Sequence, residues 1–210
     1  MVNESDMKEG EKTYVPSKTK TFIGYYLPSN TIVVAMIGIF AAVICVLTML
    51  IQIPIPATGG YINIGDAGVM IAALLFGPVI GGIAGGVGSM LADLFTGYVI
   101  YAPATLIIKG LEGLVIGIIS NPRKNYKKFS YRDIMAVVVG GFIIVFGYFV
   151  YESILYGPSV ALVEVPGNIF QFIFGAILAL IFAFTARKRI IDLLPDAFEK
   201  IFIIEIPENI

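Results

Sequence analysis

Long apolar segments recur along the chain, and they constrain its fold more than any other feature of the sequence. The first of them, Thr31–Ile51, has no charged residue and is long enough to cross a bilayer, which takes about 20 helical residues. Hydrophobic residues make up 58% of the 210 residues and charged residues only 14%. A soluble domain of this size needs more polar surface, so the sequence predicts an all-α, polytopic membrane protein.

The apolar segments predict six transmembrane helices. Ala67–Phe95 is too long for one upright helix and is interrupted at Gly77 and Pro78, so we divide it in two. Pro103 and Pro166 suit the first turns of the helices in which they lie. The six predicted helices are Thr31–Ile51, Asp66–Phe76, Val79–Thr96, Tyr101–Ser120, Asp133–Tyr156 and Pro166–Ala186.

Basic residues fix the predicted orientation. All but one of the 14 Lys and Arg residues lie before the first predicted helix, between the fourth and the fifth, or after the sixth. Six spans place these three groups on one side of the membrane, which the positive-inside rule identifies as the cytoplasm. We therefore expect a multi-pass protein of the cell membrane with both termini in the cytoplasm and an outward-facing loop at Ile53–Gly68.

The chain divides into three predicted regions. Residues 1–25 are polar and lack the features of a signal peptide, which predicts a disordered cytoplasmic tail. Residues 26–189 hold the six helices. Residues 190–210 predict a cytoplasmic or interfacial tail, because their apolar residues recur at helical spacing, a pattern as typical of a frayed tail as of a helix in the interface.

Several kinds of chemistry find no support in the sequence. The chain has no histidine and a single cysteine, Cys45, which lies inside an apolar segment. The commonest metal ligand is therefore missing, no cluster has metal-ligand spacing, and no disulfide can form within one chain. No serine or cysteine has a basic partner for nucleophilic catalysis, and no basic run suits nucleic acid. We predict no catalytic residue, metal or cofactor, no enzyme activity and no nucleic-acid partner.

Polar groups within the predicted helices concentrate in the outer half of the membrane. Ionisable groups at such depths are costly and usually functional. A channel or a proton relay distributes polar groups across the whole membrane, whereas a polar cap above an apolar floor suits the capture of a small solute from outside. The residues concerned are Asp66, Asp93, Lys109, Glu112, Glu152, Asn168 and Gln171.

Each of these groups also has a structural interpretation. Lys109 and Glu112 are three residues apart, so they can form a purely structural ion pair or one that opens to meet a ligand. Asp66 and Asp93 can cap helices. Tyrosines at the same level, among them Tyr98, can stack on an aromatic ligand or belong to the aromatic belt of the membrane interface.

Two further segments have a predicted role. Ile53–Gly68 is longer than the roughly two to six residues that a simple connection needs, and it carries polar groups but no basic residue, which predicts a lid over a binding site. On the first helix, the spacings Gly38-xxx-Ala42 and Ala41-xxx-Cys45 allow close helix contact. They predict either packing within the bundle or a docking face for another membrane protein.

Two motifs carry a resemblance to a known family. They are PATGGYINIGDAGVMIAALLFGPVIGGIAGGVGSMLADLFTGY and, shortly after it, YAPATLIIKGLEGLVIGII. From about Thr31 to Arg189 the chain resembles the substrate-binding (S) component of energy-coupling factor (ECF) vitamin transporters. Within that family it looks most like the subgroup assigned to riboflavin or to pyrimidine and pyridoxine vitamins.

The resemblance implies six helices that bind one vitamin near the outer face, under the loop after the first helix. It also implies a protein without ATPase activity that works with a transmembrane coupling protein and two cytoplasmic ATPase subunits. Family members contact the coupling protein through small residues of helix one, often Ala-xxx-Ala. In this chain the corresponding docking residues are Gly38, Ala41, Ala42 and Cys45.

Carried onto this sequence, the resemblance implies a vitamin site and leaves its ligand open. An excess of acids over Lys109 favours a neutral or cationic ring such as hydroxymethylpyrimidine, thiamine or pyridoxine, with riboflavin as a larger alternative. A self-sufficient secondary transporter competes with this prediction, although the sequence lacks the internal repeat common in such carriers. A membrane enzyme is disfavoured because the acids are scattered and face outward. The candidate substrate-binding residues are Gly60, Tyr61, Asn63, Asp66, Asp93, Tyr98, Lys109, Glu112, Glu152, Asn168 and Gln171.

Overall fold

The computed structural model describes residues 20–125 and 128–203, and it is built mainly of helices. Two antiparallel strand pairs accompany them: β1 (Thr21–Phe22) with β2 (Tyr25–Tyr26), and β3 (Gln52–Ile55) with β4 (Gly60–Asn63). The helices are α1 Thr31–Leu50, α2 Gly65–Phe76, α3 Pro78–Thr96, α4 Ala102–Ser120, α5 Pro122–Asn125, α6 Tyr131–Tyr156, α7 Pro158–Ala161, α8 Val165–Thr185, α9 Arg187–Leu193 and α10 Pro195–Glu199.

Within the described residues, five helices are long and apolar enough to cross a membrane: α1, α3, α4, α6 and α8. The sequence predicted six. Helix α2 occurs where it was expected but has 12 residues, or about 18 Å of length against about 30 Å of hydrocarbon. All of its residues except Ile71 are buried, so α2 is a short helix surrounded by the longer ones.

Glycines bring α3 close to both of its long neighbours. A Cβ atom at Gly86 would lie 2.6 Å from the carbonyl oxygen of Leu106 on α4. A Cβ atom at Gly88 would lie 2.5 Å from the carbonyl oxygen of Ala41 on α1. Side chains at these positions would force the helices apart, so the glycine spacing in the sequence corresponds to close helix packing.

The small residues of α1 face two different ways. Ala41 and Cys45 are buried, and Ala41 packs on α3. Gly38 and Ala42 are exposed, and a Cβ atom at Gly38 would meet nothing within 4 Å. Of the four predicted docking residues, Ala41 and Cys45 therefore pack inside the protein, whereas Gly38 and Ala42 are open to a partner or to lipid. A docking role for this face stays a prediction.

The two ends of the described chain pair with each other. Tyr26 N donates to Ile201 O at 2.9 Å, and Ile203 N donates to Gly24 O at 2.9 Å. The ring of Tyr25 is only 2% exposed. The folded unit thus includes residues before residue 26 and after residue 189, outside the bounds predicted for the six-helix region. The remaining parts of the predicted tails, residues 1–19 and 204–210, lie outside the described residues.

The segment after α8 packs on the protein through one apolar side. Ile191, Phe198, Ile201 and Phe202 are buried in a cluster with residues of α1, α2 and α3. The helical spacing of its apolar residues therefore reflects contact with the bundle. A frayed tail does not describe this segment, because its large apolar side chains are covered by protein.

A buried arginine joins three elements at the same end of the bundle. Arg187 is 1% exposed, and its guanidinium donates to both carboxylate oxygens of Asp133 at 3.0 and 2.8 Å. It also donates to the carbonyl oxygens of Leu74 and Lys128. The end of α2, the start of α6 and the start of α9 therefore meet here, close to the paired chain ends.

Candidate functional site

The loop between α1 and α2 forms a β-hairpin, which the sequence analysis did not foresee. Strands β3 and β4 pair from Gln52 with Asn63 to Ile55 with Gly60. The chain reverses between them, with Gly59 at a φ of 65° that favours glycine. Pro54 is tolerated because β3 is an edge strand. The predicted lid is thus an ordered two-stranded element.

The tip of the hairpin is fastened to the loop regions before α4 and α8. The hydroxyl of Thr58 bonds to the carboxylate of Glu164, and the hydroxyl of Tyr101 donates to Thr58 O at 3.1 Å. Gly60 sits against this contact, because a Cβ atom there would lie 2.4 Å from Glu164 Oε1. We call Thr58, Tyr101 and Glu164 the outer latch.

The base of the hairpin is connected to a buried ion pair. Asn63 N donates to Gln171 Oε1 at 2.7 Å, and Gln171 Nε2 donates to Asp66 Oδ2 at 2.9 Å. The second carboxylate oxygen of Asp66 bonds to the ammonium of Lys109. Glu112 lies farther from that ammonium, at 3.7 Å. The predicted Lys109–Glu112 pair thus exists, but Asp66 is the closer partner.

Tyr61 connects the middle of the lid to α3. Its hydroxyl donates to Asp93 Oδ1 at 2.6 Å, and its ring packs on Tyr98 with 4.2 Å between centroids. Burial and the neighbouring carboxylate of Asp93 raise the pKa of Tyr61, since both disfavour the phenolate. Tyr61 therefore stays a hydrogen-bond donor at neutral pH.

A pocket lies beneath the lid, between α1, α3, α4, α6 and α8. The cavity has a volume of about 20 Å³, so the side chains around it are packed closely. Lys109 reaches it from α4, with its ammonium 5.7 Å from the ring centroid of Tyr148. The lining residues are Thr48, Tyr61, Asn63, Ser89, Asp93, Tyr101, Thr105, Lys109, Tyr148, Glu164, Asn168 and Gln171.

The structure brings most of the predicted site residues to this pocket but gives some of them another position. Gly60, Asp66, Tyr98, Glu112 and Glu152 do not line it. Gly60 supports the outer latch, and both carboxylate oxygens of Asp66 are already bonded. Tyr98 supports Tyr61, Glu112 lies beyond Lys109, and Glu152 lies beside Glu164.

Sequence reasoning missed three hydroxyl residues that line the pocket: Thr48, Ser89 and Thr105. Two of them could have been found from helical spacing. Ser89 precedes Asp93 by four residues on α3, and Thr105 precedes Lys109 by four residues on α4. Residues at this spacing share a helix face. Ser89 therefore lies on the same face as Asp93, and Thr105 on the same face as Lys109, and both charged residues were already predicted to belong to the site. Nothing in the sequence around Thr48 gave a comparable signal.

Four buried polar atoms of the lining have no hydrogen-bond partner among the described residues. They are Thr48 Oγ1, Ser89 Oγ, Asp93 Oδ2 and Asn168 Nδ2. Buried polar groups are nearly always paired, because leaving one unpaired costs about 1–3 kcal/mol. Four such atoms around one cavity are available to hydrogen-bond with water or with a bound molecule.

The comparisons with known proteins agree with this geometry. Residues 29–188 match the model of one protein family, described as "ECF-type riboflavin transporter, S component". The chain belongs to this family. It is a family of transporter subunits and not of enzymes. The matched residues include the lid and the whole pocket lining, while the β1–β2 hairpin and most of the segment after α8 lie outside them.

Two relatives of this S component are informative. An uncharacterized protein of Pyrococcus woesei is 44% identical over 147 residues, which cover 70% of this chain and 96% of the relative. The thiamine precursor transporter HmpT of Lactococcus lactis subsp. cremoris is 33% identical over 145 residues, which cover 69% of this chain and 81% of HmpT.

A solved structure shares the fold. The S component of a bacterial ECF transporter superposes with a TM-score of 0.53 at 22% sequence identity. The match covers 77% of this chain and 96% of that structure. The arrangement of apolar helices found here is therefore that of an ECF S component.

Proposed function

We propose that this S component is the substrate-capture subunit of an ECF-type ABC importer. It binds a small vitamin or vitamin precursor from the outer face and delivers it to the cytoplasm when coupled to an ATPase module. The observation that carries the proposal is the group of four unpaired polar atoms in the pocket beneath the hairpin lid. Such a pocket has the donors, acceptors and closure that capture of a small polar ring requires.

The proposed orientation has six crossings, counting the short helix α2, and both termini in the cytoplasm. Two contacts support it. The hydrogen bonds that pair Tyr26 with Ile201 bring the two chain ends together on one side of the bundle. Tyr25 also donates from its hydroxyl to Asn121 Oδ1 at 3.1 Å, which brings the end of α4 to that side. The basic segments adjoin these contacts, in keeping with the positive-inside rule.

The proposed ligands are hydroxymethylpyrimidine or thiamine, pyridoxine, and riboflavin. The family description supports riboflavin, and the likeness to HmpT supports a thiamine precursor. The acidic groups Asp93 and Glu164 in the lining support a ligand that is neutral or cationic.

The proposed partners are a transmembrane coupling protein and two cytoplasmic ATPase subunits. The exposed positions Gly38 and Ala42 on α1 support a docking face there, since small residues permit the close approach of another helix. Exposed neighbours such as Ile39 and Val46 extend the face with apolar surface.

Reconstitution into proteoliposomes tests the proposal against a self-sufficient secondary transporter. We expect uptake of a labelled vitamin only when the coupling protein and the ATPases are present and ATP is supplied on the side of the membrane that carries the ATPases. Uptake by the purified protein alone, driven by an ion gradient, would contradict the proposal and support the secondary transporter.

A further inference from the structure

Glu152, near the outer end of α6, is a buried acid that does not line the pocket. Its side chain is 0% exposed, and as a carboxylate it has no donor to either oxygen among the described residues. The carboxyl of Glu164, on the loop before α8, lies within hydrogen-bonding reach of it and is itself only 3% exposed. Two buried carboxyls in contact cannot both be ionised unless a positive charge compensates them.

The protein supplies no such charge at this end of the bundle. Residues 21–108 and 133–186 contain no Lys or Arg, and these ranges include the hairpin, the loop before α4, the outer end of α6 and the loop before α8. Lys109 lies deeper: its ammonium bonds to Asp66 and is 5.7 Å from the ring centroid of Tyr148, which is one helical turn before Glu152. A proton or a cation from solution must therefore join the two carboxyls.

The contacts favour a shared proton over a metal ion. Carboxyls within hydrogen-bonding reach of each other can be joined by one proton, as in the paired carboxyls of aspartic proteases. A metal ion such as Ca²⁺ takes about six to eight oxygen ligands, and no group of three or more acidic side chains that could hold one occurs among the described residues. The amide of Asn168, one turn after Glu164, is not bonded to either carboxyl, since its nitrogen has no partner there.

Thr58 indicates which of the two carboxyls is ionised. Gly60 N donates to Thr58 Oγ1 at 3.2 Å, so this hydroxyl directs its own hydrogen to another acceptor. Glu164 Oε1 is the nearer of its two acceptors, Ile55 O being 3.4 Å away. A hydrogen bond received by a carboxylate favours its charged form. Glu164 is therefore the ionised member, and Glu152 carries the proton.

Resting on the proposed function, in which the hairpin is the lid, we propose that Glu152 is a positioning residue of the outer latch and makes the latch respond to pH. Its protonated carboxyl donates to Glu164 and holds that side chain against Thr58. When the tip opens, Glu164 loses the cover of the hairpin, water reaches the pair, and both carboxyls ionise. The closed latch thus holds one proton more than the open latch, so closure is favoured at low pH and is lost as pH rises.

The other titratable groups near the pair do not replace it in this role. Tyr101 is the nearest, and its hydroxyl already donates to Thr58 O. Burial and, after it, the carboxyls of Glu164 and Glu152 raise the pKa of Tyr101 above its usual value of about 10, so it keeps its proton at neutral pH. The remaining groups are Tyr148, Tyr151 and Tyr156 on α6, with Asp93, Lys109 and Glu112 farther into the bundle.

The test follows the distance between the tip of the hairpin and the opposite end of the bundle as pH changes. In a Cys45→Ala background, Ala57→Cys and Glu199→Cys carry nitroxide labels at exposed positions, and double electron–electron resonance measures their separation in detergent. We expect one distance at about pH 6 and a second distance that becomes populated towards about pH 9. Because opening releases one proton, the ratio of open to closed protein should rise by up to about tenfold per pH unit.

Glu152→Gln is the decisive variant, because its amide keeps a donor for Glu164 but cannot ionise. We expect it to stay closed over the same pH range, with the ratio of open to closed protein changing by less than about twofold. Asp196→Asn, the same kind of change at an exposed position of α10, is the matched control and should keep the wild-type response. Glu164→Gln should also abolish the response, which provides a second test if Glu152→Gln folds poorly.

Three results would overturn the proposal. They are a wild type that stays closed at every pH, a wild-type response that persists in either glutamine variant, and opening of the tip by EDTA at about pH 6, which would mean that a divalent cation joins the carboxyls. The labels and the readout involve no vitamin, so this inference can fail while the proposed function stands. The proposed function fails instead if no vitamin binds the wild type.

Discussion

At the scale of single residues, Lys109 combines two roles that are usually separate. Its ammonium is buried between Asp66 and Glu112, which neutralises it in a medium where an isolated charge is very costly. The same side chain lines the pocket, and through Asp66 and Gln171 it is connected to the backbone of the lid at Asn63. Folding and the proposed ligand binding thus involve the same cluster of charges.

Removing the lysine should therefore destabilise the protein strongly. We predict that Lys109→Met lowers the free energy of unfolding by about 3–5 kcal/mol, because it leaves buried carboxylates without their partner. Thermal unfolding in detergent measures the effect. Lys188→Met is the control: Lys188 is exposed, and its loss should change stability by less than about 0.5 kcal/mol. If the two variants are equally stable, the buried carboxylates of Asp66 and Glu112 do not depend on the Lys109 ammonium.

At the scale of elements, the β3–β4 hairpin is held at its tip and at its base by different groups. The outer latch bonds the tip to the loop regions before α4 and α8. The base is bonded to Gln171 of α8. A lid fastened at two points can open at the tip while its base stays attached, so the latch should govern how fast a ligand leaves.

Loss of one latch bond should speed ligand release. We predict that Tyr101→Phe, which removes the donor to Thr58 O, raises the dissociation rate of a bound vitamin by about twofold to tenfold. Stopped-flow fluorescence measures this rate. Tyr131→Phe is the matched control, since that tyrosine is 76% exposed and lies at the far end of α6. A dissociation rate unchanged by Tyr101→Phe would mean that the tip does not limit release.

Helix α1 carries the proposed docking face on a side that is away from the pocket. Its exposed small residue Ala42 lies on the outer surface of the bundle, away from the pocket lining. We predict that Ala42→Leu prevents co-purification with the coupling protein while the isolated protein keeps its vitamin affinity. Val138→Phe, an enlargement at an exposed position of α6, should leave both unchanged. Normal assembly of Ala42→Leu would exclude this face as the docking site.

At the scale of the whole molecule, the bundle has two chemically different ends. One end carries the paired chain ends and the buried Arg187–Asp133 pair. The other carries the lid, the outer latch and the pocket. This polarity suits a subunit that takes a ligand from one side and meets its ATPases on the other.

Labelling with a membrane-impermeant thiol reagent should distinguish the two ends in intact cells. In a Cys45→Ala background, we predict that Ser159→Cys reacts from outside and that Glu199→Cys reacts only after the cells are opened. Both positions are exposed, at opposite ends of the bundle. Labelling of Glu199→Cys in intact cells would contradict the proposed orientation.

The sequence allowed the long helices to be predicted within two residues at most ends, as with Thr31–Leu50 for α1 and Pro78–Thr96 for α3. Apolar runs and helix-breaking residues are local signals. The contacts that organise the site are not local: Lys109 and Asp66 lie on different helices 43 residues apart, and the lid reaches Gln171 across more than 100 residues. Spacing along one helix could suggest the Lys109–Glu112 pair but not the closer partner.

The hairpin and the paired chain ends were missed for related reasons. Prolines in the segment from Gln52 to Ile55 argue against a strand unless it is an edge strand, and which strands are edges is decided by the tertiary fold. The pairing of Tyr26 with Ile201 joins the two ends of the described chain, and no local pattern in either segment predicts it.

Vitamin capture by this protein is tested most directly by calorimetric titration of the purified wild type, alone in detergent, with a panel of B vitamins and their precursors. We expect one of them to bind at one site per chain with a dissociation constant below about 1 μM, without ATP or any partner subunit. If none binds more tightly than about 1 μM, the pocket beneath the lid is not a vitamin-capture site and the proposed function is wrong.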